Sequence, residues 1–113
     1  DKLIPYLLKN ENLDILELKG DPKNKIRPIS VDDVCNFINK LSKEDLYINK
    51  TLDFYGKEYF LDEFINIYKD SRNKQFSLNY KNIDNLNYYY KSSSDETIIP
   101  KDNLYNDLRD LRL

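Results

Sequence analysis

The stretch Ile26–Leu41, IRPISVDDVCNFINKL, commits the chain to an extended segment that turns directly into a helix. Pro28 biases Arg27 away from helical backbone. Ser30 is a good N-cap, and Asp33, three residues on, is placed to reach back in a capping box. Asp32 and Asp33 both favour the positive end of a helix. Val34, Phe37, Ile38 and Leu41 then recur at i, i+3, i+4 and i+7, which is one apolar helical face. Cys35 flanks that face and is expected to be a small buried hydrophobe.

The same two periodicities alternate along the rest of the chain. Leu3, Ile4, Leu7 and Leu8 fit a short helix over Lys2–Lys9, with Pro5 tolerable in its first turn. Asp14–Leu18 (DILEL) alternates as a strand. A turn on Gly20, Asp21 and Pro22 leads to the extended Ile26–Ile29, so the pair is expected to resemble a hairpin. Thr51–Gly56 (TLDFYG) reads as a buried strand closed by a glycine. Leu61, Phe64, Ile65 and Tyr68 define a second amphipathic helix, with Asp62 and Glu63 near its start and Lys69 and Arg72 near its end. Phe76, Leu78 and Tyr80 alternate as a third strand. From Lys81 to Ser94 the pattern fades into asparagine, tyrosine and serine, and Leu104, Leu108 and Leu111 return to helical spacing.

Short strands alternating with amphipathic helices predict an α/β fold. So few strands do not make a free-standing doubly wound sheet, and the chain reads as material that completes another sheet. Residues 1–80 form one part; residues 81–113 form a loop plus terminal helix, a candidate docking tail. At 113 residues it is at most one domain. It contains no methionine and no leader-like segment at Asp1, and is expected to be part of a longer polypeptide.

Composition removes several function classes. A net charge of −2 supplies no basic stripe for a nucleic-acid partner. The mean hydropathy of −0.77, with no apolar run near the length a bilayer requires, predicts no membrane span. One cysteine and no histidine leave neither an internal disulfide nor a plausible metal-ligand set. The two glycines, Gly20 and Gly56, are too far apart to build a dinucleotide fingerprint or a Walker loop. Asp32–Asp33 and Asp62–Glu63 are neighbours on helices, so they do not face each other as acid and base. None of the ten tyrosines has a lysine four residues later; Tyr68 and Tyr105 instead have Arg72 and Arg109, expected to be surface contacts. Tyr88–Tyr90 is expected to pack against a partner protein or the parent domain rather than to serve as a stacking platform for single strands, given the acidic balance. Arg27, beside a turn and a strand, is the candidate substrate-binding residue for a phosphate or carboxylate, set against a plain solvated strand-end arginine.

Over Lys25–Tyr80 these motifs occur in a recognisable succession. Pro28-Ile29-Ser30-Val31-Asp32-Asp33-Val34 leads into a helix, NKTLDFYG follows a spacer, and Tyr59-Phe60-Leu61-Asp62-Glu63-Phe64 opens the next helix. This succession resembles the C-terminal region of extended or atypical short-chain dehydrogenase/reductase proteins, especially the NmrA-like group. The resemblance implies the substrate-lobe part of a Rossmann-type NAD(P)-binding fold. It puts the glycine-rich loop and the tyrosine–lysine pair upstream of Asp1, so NAD(P)H would be held by the parent protein and not by this segment alone. It implies no catalytic residue here and makes Asp33 a helix cap. Arg27 is similar to a phosphate-binding arginine of sugar-nucleotide members, although one residue nearer the motif. Some members are reductases or epimerases; others are regulators or nucleotide-binding accessory subunits of respiratory complexes, which KEYFLDEFINIYKDSR and DNLYNDLRDLRL favour. The expected role is therefore an accessory or regulatory subunit of a larger complex, mitochondrial or cytoplasmic. An active reductase or epimerase lobe and a stand-alone interaction domain remain the alternatives.

Overall fold

The computed structural model of the chain describes residues 3–43, 49, 51–81 and 96–112. Its elements run α1 (Leu3–Asn10), β1 (Ile15–Lys19), β2 (Lys25–Ile26), α2 (Val31–Lys43), β3 (Leu52–Phe54), β4 (Tyr59–Phe60), α3 (Leu61–Arg72), β5 (Ser77–Lys81), β6 (Glu96–Ile98) and α4 (Leu104–Arg109). The fold is mixed α/β, with short strands interleaved with helices. Tyr88–Tyr90 and most of the 81–94 stretch lie outside the described residues.

The strands pair at long range. β1 and β5 form a parallel ladder from Ile15↔Ser77 to Lys19↔Lys81, which Gly20 extends by donating its N–H to the Lys81 carbonyl at 2.8 Å. β3 and β6 are also parallel, and β2 and β4 form a two-residue antiparallel pair. The expected hairpin between 14–18 and 26–29 is therefore overturned. Gly20, at φ 135°, turns the chain out of β1, and β1 satisfies its backbone groups along five residues of β5. The short segment before Pro28, which lacks an N–H, offers no ladder of that length.

One core holds α1, β1, β5, α3 and α4 together. α3 is its centre: Leu61, Phe64, Ile65 and Tyr68 are all essentially inaccessible, as their spacing predicts. They meet Leu3 and Leu7 of α1, Leu16 and Leu18 of β1, Phe76, and Leu108 of α4. Each such side chain contributes about 1.5–3 kcal/mol of burial. The ends of α3 are closed by local chemistry. The Glu63 carboxylate accepts the Phe60 N–H at 3.0 Å. Asn73 adopts the left-handed conformation (φ 54°) while the Lys74 N–H reaches back to the Lys69 carbonyl at 2.9 Å, a Schellman-type stop.

α2 behaves differently. Ser30 caps it as expected, its Oγ accepting the Asp33 N–H at 3.0 Å. Replacing Ser30 by alanine should cost about 1 kcal/mol, read as a lowered urea midpoint. Yet no residue of α2 is buried: Val31 is 75% and Ile38 59% exposed. Cys35 is also exposed, which corrects the expectation of a buried thiol; the apolar stripe beside it has little of the described chain to pack on. Phe37 stacks on Phe54 of β3, with ring centroids 4.4 Å apart. β3 is half-buried along its length rather than buried, because β6 covers only three residues of it. The radius of gyration, 16.0 Å, exceeds the value of roughly 13 Å for a compact domain of this length.

Candidate functional site

The Ile29–Asp33 junction lines a cleft of about 450 Å³. The N-terminus of α2 forms one wall, the Gly56–Lys57 corner after β3 a second, and the stretch from Pro100 through α4 to Leu111 a third. Gly56 makes the corner possible. A β-carbon there would fall 1.5 Å from the Pro28 carbonyl oxygen, so only glycine lets the two backbones meet. β6 brings in the third wall through its pairing with β3.

Arg27 lies outside the lining. Its Nη1 donates to the Gly56 carbonyl at 3.5 Å and its Nη2 pairs with Glu58 Oε2 at 3.3 Å. The guanidinium also sits 5.0 Å from the centre of the Tyr55 ring. Lys25 approaches the same Glu58 carboxylate at 3.7 Å. In this arrangement Arg27 ties β2 to the Gly56 corner.

The cleft is acidic. Asp32, Asp33, Asp102, Asp107 and Asp110 line it, against Lys57 and Lys101. Burial first, and then the neighbouring Asp33 carboxylate, push the Asp107 carboxyl above the ordinary aspartate range. Asp107 therefore binds its proton more readily folded than unfolded, and ionising it opposes folding as pH rises through its folded value. Lys57 is engaged with Asp102 at 4.0 Å and lies 5.3 Å from the Tyr59 ring centre. The Tyr59 hydroxyl donates to Asp102; burial, then that carboxylate, hold the phenol well above its usual range and keep it protonated. A pyrophosphate does not fit here, because it would meet these carboxylates with little compensating charge. Dinucleotide binding cannot be assigned to this cleft.

A second polar centre is structural. Arg72 is only 12% exposed, not the surface contact its position suggested. Its Nε and Nη2 grip both Glu11 oxygens at 2.7 and 3.0 Å. Its Nη1 donates to the carbonyls of Leu108, Leu111 and Arg109 at 2.8, 2.9 and 3.3 Å. Tyr68 completes the group by donating its hydroxyl to Glu11 at 2.5 Å. This network fastens α4 to α1 and α3. The other flagged carboxylates have local roles: Asp62 pairs with Lys23 at 2.8 Å, and Glu63 caps its own helix.

Sequence reasoning read Ile29–Asp33 only as a capped helix start and offered Arg27 as the binding residue; it missed the cleft itself, with Asp107, Asp110 and the Tyr59–Asp102 pair. Their partners lie in distant segments, and no local spacing marks them. Comparison of the chain with family models, with curated proteins and with solved structures finds no match in any of the three.

Proposed function

We propose that this chain is the C-terminal portion of an NAD(P)-binding, short-chain-dehydrogenase-like protein, acting as an accessory or regulatory subunit of a larger assembly. The observation that carries the reading is an amphipathic helix, α2, that buries none of its residues although Phe37 stacks on Phe54, beside the two short parallel strands β3 and β6. Parallel strands are ordinarily covered on both faces by helices, and a helix with this pattern ordinarily packs on such a sheet. A neighbouring stretch of parallel sheet, supplied upstream in the same polypeptide, satisfies both. The Pro28–Val34 junction and the Gly56 corner agree with the family resemblance, and Arg27, tied to Glu58 and Gly56, fits a positioning role in that lobe. The accessory role rests on the resemblance of KEYFLDEFINIYKDSR and DNLYNDLRDLRL to the tail of such subunits.

Peptide mass spectrometry of the natural parent protein, reading residues upstream of Asp1, tests this. A glycine-rich strand–turn–helix there, with saturable NADPH or NADH binding by the intact parent, supports the proposal. A Tyr-x-x-x-Lys pair in the same region would move the reading to an active reductase or epimerase. A start site immediately before Asp1 would sink it and leave a small interaction domain.

A further inference from the structure

We propose that the cleft between the α2 N-terminus and α4 is a docking site for a lysine- or arginine-bearing amphipathic segment of a partner protein. The inference does not depend on the nucleotide reading, since it concerns the opposite requirement, a cationic guest. Two properties coincide in the cleft. Its apolar lining includes Ile4, Ile29, Val31, Leu104 and Leu111, and Val31 is 75% exposed. Its five aspartates, Asp32, Asp33, Asp102, Asp107 and Asp110, outnumber its two lysines; Asp102 is engaged with Lys57 and Asp110 with Arg109, so the excess of negative charge rests on Asp32, Asp33 and Asp107.

Charge complementarity selects the occupant. An anionic ligand or a nucleic acid would add to the repulsion already felt by Asp107. A small polycation would relieve that repulsion but leave Val31 and the rest of the apolar lining wet. A segment with one apolar and one basic face covers the apolar surface and neutralises the carboxylates together, which is the helix-in-groove mode of recognition.

The test uses the full chain and fluorescence anisotropy with a labelled synthetic peptide of leucine and lysine at helical spacing, about 15 residues long. A second peptide carries glutamate for lysine, and spermine serves as a polycation without an apolar face. The leucine–lysine peptide should bind and weaken with added salt; the leucine–glutamate peptide should not bind. Asp32→Asn, Asp107→Asn and Asp110→Asn together should weaken binding by about tenfold or more. Val31→Ser should also weaken it, and Asp14→Asn, away from the cleft, should leave it unchanged. Circular dichroism establishes that each variant is folded. The proposal is overturned by no binding, by equal binding of the two peptides, or by wild-type affinity in the triple variant. Full displacement of the peptide by equimolar spermine would also overturn it, identifying a site for small cations.

Discussion

Replacing Arg72 with alanine is expected to destabilise the chain by about 3 kcal/mol, the lower end of the range for removing one partner of a buried ion pair, since this pair is part-buried. The guanidinium satisfies both oxygens of Glu11, itself 9% exposed, and three carbonyls at the end of α4. Without it Glu11 keeps, among the described residues, the Tyr68 hydroxyl and a distant Lys74 at 3.9 Å, and the carbonyls of Leu108, Arg109 and Leu111 lose the guanidinium donor. A urea melt would read the loss as a lower midpoint, and hydrogen exchange should rise over 104–111 first. Arg72→Lys should recover part of it, since lysine keeps the charge but not the planar fork. A loss below about 1 kcal/mol would instead mark an ordinary exposed ion pair.

The same network sets an acid limit. The Arg72 hydrogen bonds hold the Glu11 carboxyl below its ordinary value. A depressed carboxylate stabilises the fold at pH above the unfolded value of about 4.3, and that contribution is lost as pH falls through the lower folded value. The wild-type chain should therefore lose stability on acidification below about pH 4, and the Arg72→Ala variant should show a flatter decline there.

Gly56→Ala is expected to cost about 3 kcal/mol, at the upper end of the overpacking range. The new β-carbon would lie 1.5 Å from the Pro28 carbonyl oxygen and 2.6 Å from its carbon. Both obstacles are backbone, and a β-carbon has no rotamer by which to avoid them. Either β3 withdraws from the Pro28–Ile29 segment or that segment bends, and the Arg27 bond to the Gly56 carbonyl is lost with the corner. Thermal unfolding should drop by on the order of 10 °C. An unchanged midpoint would mean that the two backbones do not meet as described.

The helices were the legible part of this molecule. α3 could be read to its buried residues because its face, its acidic first turn and its basic last turn all lie within a dozen neighbouring positions. The Ser30 cap and the extent of α2 were legible for the same reason. The burial of α2 was not: a pattern states which face can be covered, not whether a cover is present, and Cys35 stands exposed beside that face. Strand existence was legible in part, but the pairing of β1 with β5 was not, since alternation carries no information about the partner.

The sequence by itself determined the α/β alternation, the amphipathic faces and the local caps, because each depends on backbone geometry within one or two turns. It also excluded a glycine-rich phosphate loop, because two isolated glycines cannot build one. The tertiary structure alone decided which strands are neighbours, that Arg72 is held against Glu11 from 61 positions away, and that Asp32 and Asp33 share a cleft with Asp107 and Asp110. Those outcomes are set by long-range closure, where distant groups gain or lose solvent together.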